Sequence, residues 1–174
     1  MEKINTKICF LLIALAFLIY GCSNEKNNFG PLGSTHQHAD IKVYVLENAI
    51  DFSLPQYQLQ DRLTHLEDGD GDVVHTHATG ITLGYLFRTL GMKISDECLK
   101  LNTGNEYCNV GNAKLNVFAK NRNSEWEAIF YASDYIIQDM DKILVTYGTE
   151  SEEEIKEQME SVTDKAKESS MAKE

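Results

Sequence analysis

Polar and apolar positions alternate over residues 39–46, with Ile41, Val43 and Val45 on one side, the period-two pattern of a half-buried strand. Glu47-Asn48-Ala49 reads as a turn and residues 50–52 as the returning strand, followed by a polar connection over residues 55–60. Over residues 63–79, two short alternating runs flank Asp68-Gly69-Asp70-Gly71-Asp72. That dense turn signal predicts a β-hairpin folded about Asp70. The period then changes. Within residues 79–90, Leu83, Leu86, Phe87 and Leu90 fall at helical spacing, Thr82 can cap the first turn, and Gly91 suits the position after the last. Gly84 costs this helix about 1 kcal/mol relative to alanine, so a short helix is expected. Residues 97–101, 113–120, 126–131 and 143–147 are strand-like, with a hairpin turn at Asn121-Arg122-Asn123. Finally, Ser151 and Glu154 form a capping-box pattern ahead of an acidic helix with a thin apolar stripe, Ile155, Met159, Val162 and Ala166. That tail can dock on the domain, pair with a partner helix or stand as a marginal terminal helix; its thin stripe favours the last. These elements predict an α+β fold, a small mixed sheet with one packed helix and a C-terminal acidic helix.

The first residues have a different character. Lys3 and Lys7 precede an unbroken apolar run over residues 8–20, shorter than the roughly 20 residues of a membrane span but in the range of a signal peptide. The run ends Ile19-Tyr20-Gly21-Cys22, which resembles a bacterial lipobox. By that resemblance residues 1–21 are a lipoprotein-type signal peptide, Cys22 is lipidated, and the partner is the membrane reached through that anchor. Residues 22–34 read as a flexible tether, residues 35–149 as the domain and residues 150–174 as the tail. Of four cysteines, Cys9 and Cys22 belong to the leader, leaving Cys98 and Cys108 around a turn signal. In an oxidising compartment such a pair reads as a structural disulfide.

Charge and histidine content decide what chemistry is open. The net charge of −11 argues against nucleic acid as a partner and is compatible with cations. All five histidines fall in two neighbourhoods: His36 and His38 form one His-x-His, His75 and His77 another, and the predicted hairpin sets His65 opposite His75. Residues at i and i+2 of a strand share a face, so each His-x-His aims two imidazoles the same way. Three or four neutral imidazoles suit copper or zinc better than the oxygen-seeking calcium or magnesium. His65, His75 and His77 are the expected centre, closed by His36 and His38. Asp40, Glu67 and Asp72 are candidates for orienting an imidazole from behind. The Asp68–Asp72 run matches the start of an EF-hand loop but then fails, with Val73 at position 6 and Thr79 at position 12. No Gly-x-Ser-x-Gly or Cys-x-x-Cys is present, so neither a nucleophile elbow nor a dithiol mechanism has residues to run on.

Two resemblances add to this. Asp134-Tyr135-Ile136-Ile137-Gln138 followed by a terminal strand resembles the closing segment of ubiquitin-like β-grasp domains, which implies a β-grasp-like fold. The two His-x-His motifs, with Glu67-Asp-Gly-Asp-Gly-Asp-Val-Val before the second, resemble a family of small secreted or membrane-anchored domains from archaea and uncultured bacteria. Some members are named protein-disulfide isomerase, but the family has no established activity, and this chain lacks the dithiol that the name requires. Three readings follow: an extracytoplasmic lipid-anchored copper- or zinc-binding domain, a metal-dependent enzyme on the same ligands, or a disulfide-stapled surface module for an extracytoplasmic protein partner without metal.

Overall fold

The computed structural model describes residues 29–171, without the side chains of residues 170 and 171; the expected signal peptide, Cys22 and most of the expected tether lie outside that range. Its central element is β1 (Gln37–Val45), longer by two residues at its start than the alternation suggests. It runs parallel to β10 (Lys142–Gly148) on one side and antiparallel to β4 (Val73–Thr76) on the other. Beyond β4 lies β3 (Thr64–His65), and beyond β10 lie β8 (Lys114–Lys120) and β9 (Glu127–Ala128), in the order β3-β4-β1-β10-β8-β9. The two-residue β2 (Asn48–Ala49) also pairs with β1. Leu46 and Glu47 make the intervening turn, both with positive φ (50° and 67°), so the returning strand begins before the expected residues 50–52.

Alternation along β1 sorts its residues. Ala39, Ile41, Val43 and Val45 enter the main core with Val74, Val117, Ile143 and Val145 of neighbouring strands. Helix α1 (Leu83–Thr89) closes that core with Leu83, Leu86 and Phe87 fully buried. Thr82 caps it by accepting a hydrogen bond from the Tyr85 N–H, and Gly91 follows it at φ 74°. The glycine at position 84 is explained by packing. A β-carbon there would lie 2.6 Å from the carbonyl oxygen of Ser133, in the short 3-10 turn Ala132–Asp134. A second, three-stranded sheet carries the disulfide: β6 (Cys98–Lys100) pairs with β5 (Lys93–Ile94) and with β7 (Glu106–Cys108), and Cys98 is bonded to its cross-strand partner Cys108. The α+β class expected from the pattern, a mixed sheet with a packed helix and a helical C-terminus, is what forms.

The tail does not stand off in solution. The capping box forms, with Ser151 Oγ accepting from the Glu154 N–H and the Glu154 carboxylate from the Ser151 N–H. The expected single helix is broken at Val162, giving α2 (Glu152–Ser161) and α3 (Lys165–Met171). Val162 and Ala166 are buried on the sheet face away from α1, where Val73 and Leu144 are also buried. Asp141, fully buried at the start of β10, ties three segments together: its carboxylate accepts from Tyr135 Oη (2.7 Å), the Gln138 N–H (2.8 Å) and Asn121 Nδ2 (2.8 Å). Burial nevertheless pushes its carboxyl above the ordinary range, and the same burial raises the Tyr135 phenol.

Two outcomes are expected. Gly84→Ala, which would stabilise an isolated helix, lowers the stability of this protein by about 1–3 kcal/mol through the clash with Ser133, read by chemical denaturation. Because the folded-state pKa of Asp141 is raised, the folded protein holds a proton that the unfolded chain releases. Stability from this group is therefore full below the ordinary Asp pKa and falls as pH rises through the raised one. The difference in denaturation midpoint between the native chain and Asp141→Asn changes with that sign as pH rises above about 4, the ordinary Asp pKa.

Candidate metal centre

Register builds the site. His38 faces His75 across β1 and β4, and His75 faces His65 across β4 and β3, so three imidazoles stand in a row over three adjacent strands. His36 precedes His38 by two and His77 follows His75 by two, which places both on the same face, one step along from the row. His77 is held there by its N–H to the Leu63 carbonyl and by its carbonyl accepting from the Gly33 N–H, both at 2.7 Å. The rings close a circle of contacts. Centroid separations are 4.8 Å for His36–His38, 4.6 Å for His38–His75, 5.8 Å for His75–His65, 5.0 Å for His65–His77 and 4.8 Å for His77–His36.

His36, His38 and His75 each offer a ring nitrogen such that all three atoms lie within 4.8 Å of one another, a group that can hold a metal ion. The hairpin alone points to His65, His75 and His77 as the centre; this tight group instead spans β1 and β4. Only the pairing of β1 beside β4 sets these residues together, and His75 is common to both sets. His38, His75 and His65 are 4%, 6% and 9% exposed, whereas His36 is exposed. Histidines on an ordinary solvated sheet face would not be buried to that degree.

The polar groups around the rings fall into two kinds. Glu67, two residues past His65, places Oε2 3.3 Å from His65 Nε2 and Oε1 3.5 Å from His75 Nδ1. On its other side His65 Nδ1 lies 2.9 Å from the Asp61 carbonyl oxygen. A carbonyl can only accept, so Nδ1 carries a proton, and Nε2 is the ring nitrogen turned toward Glu67. A backbone carbonyl behind one ring nitrogen is how metal-ligating histidines are oriented. Nothing in the local sequence identifies the Asp61 carbonyl for this role, because only the fold decides which backbone group meets a ring.

Asp40 and Asp72 serve the tail. The Asp40 carboxylate accepts from the Thr163 hydroxyl and from the Ala166 N–H (3.2 and 3.3 Å to its two oxygens), capping the start of α3. Burial pushes its carboxyl up against these donors. Asp72 receives Lys42 Nζ at 2.5 Å and Lys165 Nζ at 2.8 Å, and Lys165 also reaches Asp70 at 3.1 Å. The Asp68–Asp72 turn is thus an anchor for the C-terminal helix, with Lys165 in contact with two of its three acids.

No family model, curated protein or solved structure matches the chain.

The proton position is directly measurable. In a long-range nitrogen-15 correlation spectrum of the metal-free protein, His65 shows Nδ1 as a protonated nitrogen. Asp61 contributes through its backbone, so its side chain can be replaced by asparagine without changing that pattern.

Proposed function

We propose that the protein is an extracytoplasmic, lipid-anchored domain that binds copper or zinc through its histidine cluster. The observation that carries this reading is the convergence of His36, His38 and His75, with ligand atoms within 4.8 Å of one another, inside a circle formed by every histidine of the chain. Donor chemistry supports the choice of metal. Neutral imidazoles bind borderline transition ions, and a site built mainly of imidazoles offers little to calcium or magnesium. Rigid strands carry most of the ligands, so little side-chain freedom is lost on binding.

The cellular setting rests on the leader and on the cysteines. A Cys98–Cys108 disulfide suits an oxidising compartment, and the Gly21-Cys22 pair suits lipid attachment. Among the described residues no helix is long and apolar enough to cross a membrane, so an anchor would be supplied by the leader or its lipid. The acidic surface, −11 overall, favours cation approach.

The test is metal content. The untagged full-length chain, purified from membranes and equilibrated with copper or zinc, retains metal after desalting; His38→Ala/His75→Ala retains at least tenfold less while still unfolding cooperatively. Equal metal in the two proteins would overturn the reading.

A further inference from the structure

Among the described residues, the two most exposed large apolar side chains are neighbours in sequence: Phe130 is 81% and Tyr131 71% exposed. Tyr131 sits at φ 60° and ψ 52°, a left-handed conformation that a bulky side chain rarely adopts. The turn is nevertheless pinned. The Asp134 N–H donates to the Tyr131 carbonyl at 2.8 Å, the Ala132 N–H donates to the Asp96 carboxylate at 2.9 Å, and Ala132 itself is buried. The fold thus holds two aromatic rings in water on a strained, hydrogen-bonded turn, the arrangement of a surface made for contact.

The course of the chain says what covers them. The turn packs against α1: a β-carbon on Gly84 would meet the Ser133 carbonyl, and Thr82 bridges to Ile136, itself 46% exposed. The same end of α1 receives the incoming chain. There the Phe29 ring lies 4.5 Å from that of Tyr85, and the Gly30 N–H donates to the Thr79 carbonyl at 2.8 Å. Seven peptide steps join Cys22 to Phe29, no more than about 25 Å of chain. A lipid on Cys22 therefore keeps the α1 side of the domain within that distance of the bilayer. The acidic helix α2 is tied to the opposite face of the sheet, where the Ser161 hydroxyl meets Tyr44 Oη at 2.9 Å.

Resting on the lipid-anchored reading above, we infer that the domain lies on the bilayer through its α1 side, with Phe130 and Tyr131 inserted at the level of the headgroups. An apolar ring beside one with a hydroxyl at its tip suits the boundary between acyl chains and water. Asp96 and Asp134 border the pair, so the surface it matches is zwitterionic. In this orientation His38, on the face of β1 turned away from α1, opens with its cluster to the compartment and not to the lipid.

The full-length chain, isolated from membranes, is reconstituted into phosphatidylcholine vesicles and recovered by flotation. The chain has one tryptophan, Trp126, so Trp126→Phe gives a background without indole. In that background Phe130→Trp puts an indole in the turn and Glu160→Trp puts one on α2; melting curves report that both variants are folded. Vesicles with brominated acyl chains quench the indole at position 130 by at least half and the one at position 160 by less than a tenth. A floated chain whose position 130 is quenched no more than position 160 overturns the bilayer contact and leaves the lipid anchor standing. A chain that does not float with the vesicles overturns both.

Discussion

The register of β1 against its two neighbours is the constraint on which the rest depends. Because side chains alternate, one choice of register sends Ala39, Ile41 and Val43 into the core and turns His38 and Asp40 to the opposite face. A slip of one residue would exchange the two sets, burying an imidazole and a carboxylate beneath α1 and exposing the aliphatic residues. That penalty makes the register strongly specified. The histidine row is held in place by the same hydrophobic burial that stabilises the domain.

The face that carries the histidines is divided between two tasks. One end is covered by the C-terminal segment, which buries Val162 and Ala166 near Val73 and Leu144 and is fastened by Asp40, Asp70 and Asp72. The other end carries the imidazoles. Asp40 belongs to the fastening although it stands only two residues from His38, and it does so because α3 starts directly above it. A helix N-terminus presents unpaired N–H groups that a carboxylate satisfies well. The charged pairs around Lys165 are partly exposed, so they contribute less than the apolar contacts beneath them; they set where the helix lies.

A cluster of this kind gains affinity from being built before the ion arrives. Ring positions come from strand pairing, the orientation of His65 comes from a backbone carbonyl, and β1 is bonded on both edges. Binding to such a framework costs little conformational entropy compared with recruiting imidazoles from flexible segments. The exposed ring of His36 beside the buried ring of His38 also gives the cluster one solvent-facing side through which an ion can enter or leave.

Much of this was determined locally. Alternation identified β1 and β4, the β-branched run over residues 143–147 identified β10, the Leu83–Leu90 spacing with Thr82 and Gly91 identified α1, and the Asp-Gly turn set His65 against His75, because each of these signals depends only on neighbours in the chain. Long-range packing decided the rest. The β1–β4 pairing put His36 and His38 beside the hairpin; local pattern carries no information about which strand edges meet, since any exposed ladder of N–H and C=O groups can accept another. Packing also explained Gly84, whose place opposite the Ser133 carbonyl is invisible in helix propensity. It turned the acidic tail from a marginal helix into a docked pair, because the acids that capture it lie about a hundred residues away in sequence. Donor types were legible in one dimension; their division among fastening the tail, orienting a ring and forming a group that can hold a metal required the third, since each assignment depends on distance and on what else is buried nearby.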